Sequence, residues 1–155
     1  MKTSEKKYDF FVGIDVSKVT LDITILNPQS GKLHHKVTDN NDDGYKRMRK
    51  WLATEHGVEF HRTLICMEHT GLYTRSLERF LHENNACVWK ESSLHIKKSL
   101  GLTRGKNDRI DSMRIAEYAY RFCGKANING YCPSGIQVLR DLLTTRERLN
   151  KSLKS

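Results

Sequence analysis

Apolar and polar positions divide the first ninety residues of the chain into short strands. The run from Phe10 to Ile14 is almost continuously apolar, as expected for a strand that is buried on both faces. In the next segment Leu21, Ile23 and Ile25 alternate with other residues, which predicts a strand with one face on the core. The predicted strands are Tyr8–Val16, Thr20–Leu26, Lys32–Thr38, Arg62–Met67 and Ala86–Trp89.

Apolar residues at helical spacing predict helices between these strands and after them. Tyr45, Met48 and Leu52 recur every three or four residues and should form the buried stripe of a helix. Asn and Asp residues before this segment and Gly57 after it are typical helix caps. The predicted helices are Asp43–His56, Tyr73–Glu83, Asp108–Phe122 and Ser134–Lys154. The packing stripe predicted for the third helix is Ile110, Met113, Ala116 and Tyr120.

The order of these elements is β-β-β-α-β-α-β, followed by helices. Three strands joined by short links favour an antiparallel meander, and the later alternation of strands and helices favours packing of helices on the faces of the sheet. The segment Lys32–Thr38 is more polar than the others, which suits an edge strand. The sequence therefore predicts an α/β domain with a mixed sheet over residues 1–125. Residues 126–155 are predicted to form a linker and the start of a helical or coiled-coil connector.

Length and composition limit the class of protein. A chain of 155 residues suits one domain with a sizeable core. It has no run of eighteen apolar residues, and its polar start lacks the apolar centre of a signal peptide, so we expect a cytoplasmic protein. None of its 4 cysteines forms a C-x-x-C pair, which gives little support to a zinc site.

The charge balance indicates a polyanionic partner. Lys and Arg number 27 against 18 Asp and Glu, a net charge of +9, which favours nucleic acid, although charge alone is equally compatible with simple solubility. Basic residues are frequent between Lys90 and Lys125. Trp89 and Tyr118 could stack on bases, or could simply belong to the core. The candidate phosphate contacts are Lys97, Lys98, Arg104, Lys106, Arg109 and Arg114.

Four acids stand where a shared site is expected. Asp15 and Glu68 each end an apolar strand, where a buried carboxylate is costly unless a cation compensates its charge. Asp108 and Asp111 are three residues apart, so their side chains share a helix face. Taken separately, such acids are as readily explained by turn capping or by the helix dipole. Taken together, they are hard oxygen ligands for Mg²⁺ or Mn²⁺, and two such ions can assist phosphodiester displacement.

Three motifs in this order resemble the DEDD transposases of insertion sequences, which are related to the Piv and MooV invertases. They are Gly13-Ile14-Asp15-Val16-Ser17-Lys18, Glu68-His69-Thr70-Gly71-Leu72-Tyr73 and Lys106-Asn107-Asp108-Arg109-Ile110-Asp111. The resemblance covers nearly the whole chain and implies a RuvC-like domain of the RNase H fold. It implies that Asp15, Glu68, Asp108 and Asp111 are the catalytic metal ligands. Asn107 replaces the usual Thr, and Ser112 the usual Ala.

The resemblance also sets expectations for function. It implies action on DNA phosphodiesters in DNA transposition, a guide RNA, and dimers or tetramers. It further implies a second domain with a nucleophilic serine after the helical region, so we expect that this chain alone does not carry out transposition.

Three alternatives stay open at this point. A Holliday-junction-resolvase-like or RNase H-like nuclease is the nearest, because the acids themselves specify only phosphoryl transfer. A non-catalytic nucleic-acid-binding remnant would keep the fold without turnover. An actin-like or sugar-kinase-like ATPase also begins with a strand that ends in Gly-Ile-Asp, but Val16-Ser17-Lys18 is a poor cradle for phosphate.

Overall fold

A computed structural model of the chain describes residues 8–69, 71–100, 108–128, 143 and 146–151, without the side chains of residues 108 and 109. Five strands form one sheet in the order β3-β2-β1-β4-β5. They are β1 (Phe10–Val16), β2 (Thr20–Leu26), β3 (Leu33–Asp39), β4 (Thr63–Glu68) and β5 (Cys87–Glu91). β1 pairs antiparallel with β2 and parallel with β4, so the predicted mixed sheet is confirmed. β3 is an edge strand, as its polar sequence predicted.

Four α-helices accompany the sheet: α1 (Asp42–His56), α2 (Arg75–Glu83), α3 (Ser93–Leu100) and α4 (Asp108–Phe122). Short 3₁₀ turns lie at Phe60–Arg62, Leu72–Thr74 and Cys123–Lys125. Asn41 caps α1 by accepting a hydrogen bond from the backbone N–H of Gly44, and Gly57 ends it with φ +62°. These caps explain why the boundaries of α1 were predicted to within one residue.

Two parts of the helix prediction need comment. α3 was not predicted, because Ile96 is its single fully buried residue and the segment carries no regular apolar stripe. The predicted helix over Ser134–Lys154 lies mostly outside the described residues. Residue 143 and residues 146–151, which the structure describes, are helical.

One face of the sheet is covered by α1 and α2. Tyr45, Met48 and Leu52 of α1 are fully buried there, together with Leu77 and Leu81 of α2. They pack against the even-numbered apolar positions of β1 and the odd-numbered positions of β2 and β4, namely Val12, Ile14, Leu21, Ile23, Ile25, Ile65 and Met67. This is the larger part of the hydrophobic core.

The other face is covered by α4. Leu64 and Cys66 of β4, with Trp89 of β5, are buried against Ile115 and Ala119. The predicted packing stripe of α4 is largely wrong, since the buried residues are Ser112, Ile115, Ala116, Tyr118 and Ala119. The interpretation of Trp89 and Tyr118 as base-stacking residues is also replaced, because both are buried and their rings pack on each other at 5.1 Å.

The structure bears on two further expectations. Among the described residues, Cys66, Cys87 and Cys123 form no disulfide, and Cys132 lies outside them. Within the described ranges, no helix combines the length and the apolar character that a membrane crossing requires.

Candidate active site

Asp15 is the penultimate residue of β1, and Glu68 is the last residue of β4, the adjacent parallel strand. β1 and β4 are in register up to Ile14 opposite Met67, and the same register places Asp15 beside Glu68. Adjacent strands lie about 4.8 Å apart, and residues two apart project from the same face. Glu68 therefore projects on the side of Cys66, which α4 covers. The two carboxylates thus share one edge of the sheet.

Gly13 shows how closely α4 approaches β1. A Cβ atom on Gly13 would lie 2.3 Å from both the carbonyl oxygen of Ser112 and the backbone nitrogen of Ala116. The backbone of α4 therefore crosses β1 directly above this glycine. Asp15 stands two residues further along and projects from the same face as Gly13.

The direction of α4 decides which of its ends reaches this edge. Tyr120, near the C-terminal end of the helix, contacts the ring of Phe11 at the start of β1, with 5.3 Å between ring centroids. Ser112, one turn into the helix, lies further along the strand. α4 therefore runs antiparallel to β1, and its N-terminus lies at the end of the strand that carries Asp15.

The two acids of α4 lie at that N-terminus. Asp108 is the first residue of the helix, and Asp111 follows three residues later. Asp111 and Glu68 line one small pocket. The structure thus places Glu68 and Asp111 at one pocket, sets the backbone of Asp15 beside that of Glu68, and places the backbone of Asp108 at the same end of the sheet.

Electrostatics connect these acids. The pKa of Glu68 is raised, mainly because burial disfavours the charged carboxylate. The positive charge of Lys97 opposes the increase, and the negative charge of Asp111 adds to it. Glu68 and Asp111 are therefore close enough for each to sense the other's charge. Such a pair is stabilised by nearby positive charge.

Two of the predicted phosphate-binding residues also reach this pocket. Lys97, on α3, and Arg114, on α4, line it, and Nη1 of Arg114 lies 3.7 Å from Oδ1 of Asp111. Lys98 is exposed on α3. Arg104 and Lys106 lie outside the described residues, and only the backbone of Arg109 is described, on α4.

A third strand-end acid lies beside Glu68. Glu91 is its neighbour on β5 and faces α4, because Trp89, two residues earlier, does so. Its carboxylate accepts hydrogen bonds from the backbone N–H of Ser92 at 2.8 Å and from the hydroxyl of Tyr118 at 3.1 Å. It also pairs with Nδ1 of His95 at 3.1 Å. The sequence prediction ended this strand at Trp89 and so missed it.

Another acid of the sheet, Asp22 on β2, is the neighbour of Asp15 on the side away from Glu68. It pairs with Asp15 across the antiparallel β1–β2 ladder, and Oδ1 lies 2.9 Å from Nε2 of His35. The alternation of residues in β2 could have indicated the position of this acid, since it puts Asp22 on the face opposite Leu21 and Ile23. Across the sheet, the four strand acids therefore follow one another in the order Asp22, Asp15, Glu68 and Glu91. Hydrogen bonds hold the carboxylates of Asp22 and Glu91, the two at the outer positions.

The donor set suits a divalent cation. Within the described side chains, no three His, Cys, Asp or Glu residues are grouped closely enough to hold a metal ion. Carboxylates are the hard oxygen ligands that Mg²⁺ and Mn²⁺ prefer, and burial, which raises the pKa of Glu68, makes its charged form depend on a nearby positive charge. The carboxylates at this edge therefore have the donor chemistry that such an ion prefers.

Comparison with solved structures defines the fold class. The chain is similar to T. thermophilus RuvC in complex with a Holliday junction substrate, with 12% identity and a TM-score of 0.54 over 77% of this chain and 99% of that one. A weaker likeness, with 10% identity and a TM-score of 0.38, relates 76% of the chain to 77% of the fowlpox virus Holliday junction resolvase. The domain is therefore a RuvC-like α/β domain, as the motifs implied.

Comparison of sequences defines the family. Residues 12–154 match the profile of a transposase family, the DEDD transposases of the IS110 type. The chain belongs to this family, and the resemblance carried by the three motifs is confirmed. The protein is thus a transposase domain, from a class of enzymes that cleave and rejoin DNA. No curated protein sequence matches it significantly.

Proposed function

We propose that this domain cleaves DNA phosphodiesters with divalent metal ions held by Asp15, Glu68, Asp108 and Asp111. The observation that carries the proposal is the direction of α4. Because the helix runs antiparallel to β1, its acidic first turn reaches the sheet edge where Asp15 and Glu68 stand side by side. Strand-end acids with a mainly structural role would not require a second acidic element at the same edge.

The residues of the chain have separate roles in this proposal. Asp15 and Glu68, on neighbouring rigid strands, would fix the positions of two Mg²⁺ or Mn²⁺ ions, and Asp108 and Asp111 would complete their ligand sets. Such ions, when bound, stabilise the attacking and leaving oxygens of an in-line displacement. Lys97 and Arg114 line the pocket shared by Glu68 and Asp111, where they can hold a phosphate oxygen near the acids.

The substrate in this proposal is DNA. Lys97 and Lys98 on α3, together with Arg104, Lys106, Arg109 and Arg114, would contact its phosphates, and the net charge of +9 supports the choice of a polyanion. Membership of the transposase family supports DNA transposition as the process, a cytoplasmic location, a guide RNA as a second nucleic acid, and assembly into dimers or tetramers.

The direct test is cleavage of labelled branched and duplex DNA by wild type and variants in Mg²⁺ or Mn²⁺. Asp15→Asn and Asp111→Asn should reduce cleavage to background and leave DNA binding in place, because they remove metal ligands and no phosphate contact. A matched control is Asp39→Asn, which alters an exposed aspartate at the end of β3 that pairs with Arg47 at 2.6 Å. This control should cleave like wild type.

A second readout is independent of activity. Mg²⁺ should raise the melting temperature of wild type, since a ligand that binds only the native state stabilises it, and Asp15→Asn should abolish the increase. Metal-dependent cleavage that survives Asp15→Asn would contradict the proposed site. DNA binding by wild type without any metal-dependent cleavage would instead favour a non-catalytic binding module.

A further inference from the structure

Three large apolar side chains are exposed beside the carboxyl end of β1. Val19 lies in the turn between β1 and β2, while Leu72 and Tyr73 lie in the 3₁₀ turn that follows β4. We call Val19, Leu72 and Tyr73 the edge patch. Exposed large apolar side chains that cluster beside a functional site commonly mark a contact surface.

One residue holds the parts of this patch together. The side-chain nitrogen of Asn40 donates hydrogen bonds to the carbonyl oxygens of Ser17 at 2.8 Å and of Tyr73 at 3.0 Å. Its backbone N–H donates to the carbonyl oxygen of Val19 at 2.8 Å. Its own side-chain oxygen accepts a hydrogen bond from the hydroxyl of Tyr45, a buried residue of α1. The patch is therefore anchored to the core and preorganised.

The backbone of Tyr73 is also fixed from its own turn. Gly71 has φ +82°, a conformation that residues with a Cβ rarely adopt, and it directs the chain into the 3₁₀ turn. The hydroxyl of Thr74 then donates a hydrogen bond to the carbonyl oxygen of Gly71 at 2.8 Å. The exposed ring of Tyr73 is thus carried by an ordered segment.

The edge patch lies in the turns that follow β1 and β4, at the end of the sheet that carries Asp15 and Glu68. Val19 follows Asp15 by four residues, and Tyr73 follows Glu68 by five. The hydrogen bonds of Asn40 join the two turns in which these residues lie. Lys18 is exposed next to Val19, which adds a basic group beside the apolar side chains. An aromatic and apolar surface with basic neighbours suits a nucleobase and its phosphate.

We propose that the edge patch, with Tyr73 as its main contact, stacks on unpaired bases of the DNA strand whose phosphodiester lies at Asp15 and Glu68. This inference rests on the proposed function, because it is the position of that phosphodiester that brings the bases to the patch. A base-stacking surface recognises unpaired bases and tolerates different sequences, since every base has a π face. The patch would therefore favour branched or gapped DNA over plain duplex.

The test measures binding in EDTA, so that it does not depend on cleavage. The probes are gapped and fully duplex DNA with 2-aminopurine in the gap or at the equivalent paired position. Tyr73→Ala should weaken binding of gapped DNA about tenfold, leave duplex binding unchanged and abolish quenching of the gap fluorophore. Tyr73→Phe should behave like wild type. The salt dependence of binding should not change, because stacking releases no counterions.

A matched control is Tyr120→Ala. Tyr120 is 46% exposed and Tyr73 is 44% exposed, but Tyr120 lies against Phe11, which is about 13 Å along β1 from Asp15. Its loss should leave binding of gapped DNA unchanged in a protein whose folding is verified by its melting curve. The same curve for Tyr73→Ala separates lost stacking from lost structure.

Three results would overturn the inference. One is equal affinity of wild type and Tyr73→Ala for gapped DNA. Another is an equal loss on duplex with a smaller salt slope, which would make Tyr73 a backbone contact. The third is unchanged DNA binding with a loss of self-association, which would assign the patch to a second copy of the chain. Each is distinguishable from failure of the proposed function, which is decided by cleavage with Asp15→Asn.

Discussion

Glu68 shows how a single residue is affected by its place at the sheet edge. Burial raises the pKa of its carboxyl group, and Asp111 raises it further, while Lys97 partly opposes both. A carboxyl group whose pKa is higher in the folded state than in the unfolded state binds more protons when folded. The stability that this provides is present below the unfolded pKa and is lost as the pH rises through the folded pKa.

The first prediction follows from the upward shift in the pKa of Glu68. In the presence of EDTA, Glu68→Gln should raise the melting temperature at pH 7, because it removes a carboxylate that is unfavourable in the fold. The gain should shrink as the pH falls through the raised pKa of Glu68, because the carboxyl group then becomes protonated. Glu117→Gln, which changes an exposed acid paired with Arg121 at 2.7 Å, should give no comparable gain. A lower melting temperature for Glu68→Gln at pH 7 would contradict this account.

At the scale of elements, contact between α4 and β1 places the acids. Small and polar residues of the helix, Ser112 and Ala116, lie on Gly13, so the two backbones approach closely. The buried hydroxyls of Ser112 and Thr24 are 2.7 Å apart and connect α4 to β2 as well. The seam fixes both the position and the direction of the helix, and with them the place of its acidic first turn.

The second prediction concerns this seam. Gly13→Ala would place a methyl group 2.3 Å from backbone atoms of α4, which cannot move as a side chain could. It should destabilise the fold by about 3 kcal/mol in chemical denaturation, in the upper range for overpacking. Gly124→Ala is the control, since no atom lies within 4 Å of the added Cβ, and it should change stability by about 0.5 kcal/mol or less. Similar effects of the two substitutions would contradict the close approach.

At the scale of the whole molecule, the larger part of the hydrophobic core and the lysines near the acids lie on different faces of the sheet. α1 and α2 bury the larger part of the core on one face of the sheet. On the other face, α3 carries Lys97, which lines the pocket of Glu68 and Asp111, and the exposed Lys98. An excess of 9 positive charges over the chain attracts a polyanion, and α3 offers it a defined place next to the acids.

The third prediction tests whether the lysines of α3 contact the phosphates of DNA. Lys98→Ala should weaken binding of DNA of any sequence and reduce the slope of log affinity against log salt by about 1, as expected for one lost phosphate contact. The control is Lys50→Ala, which removes an exposed lysine from α1 on the opposite face of the sheet. Its salt slope should equal that of wild type. Equal slopes for all three proteins would show that α3 is only a solvated surface.

The local elements of the fold could be predicted from the sequence alone. Alternation and apolar runs gave all five strands, and β2 was predicted with its observed ends. Tyr45, Met48 and Leu52 were correctly predicted as the buried stripe of α1. These features depend on neighbours within a few residues, because period and capping are local properties of the chain. The three acidic motifs also gave the family and the RuvC-like fold, which the comparisons confirm.

The arrangement of the acids depends on the tertiary structure, through strand register and helix packing. The register that sets Asp15 beside Glu68 comes from pairing of strands that are about fifty residues apart. The stripe of α4 was wrong because its buried side is set by close contact with Gly13, which favours small and polar residues over the apolar pattern. α3 escaped prediction because a short helix with one fully buried residue leaves no periodic signal. Pairing register and helix direction depend on long-range packing, and hydrophobic periodicity along the chain does not encode them.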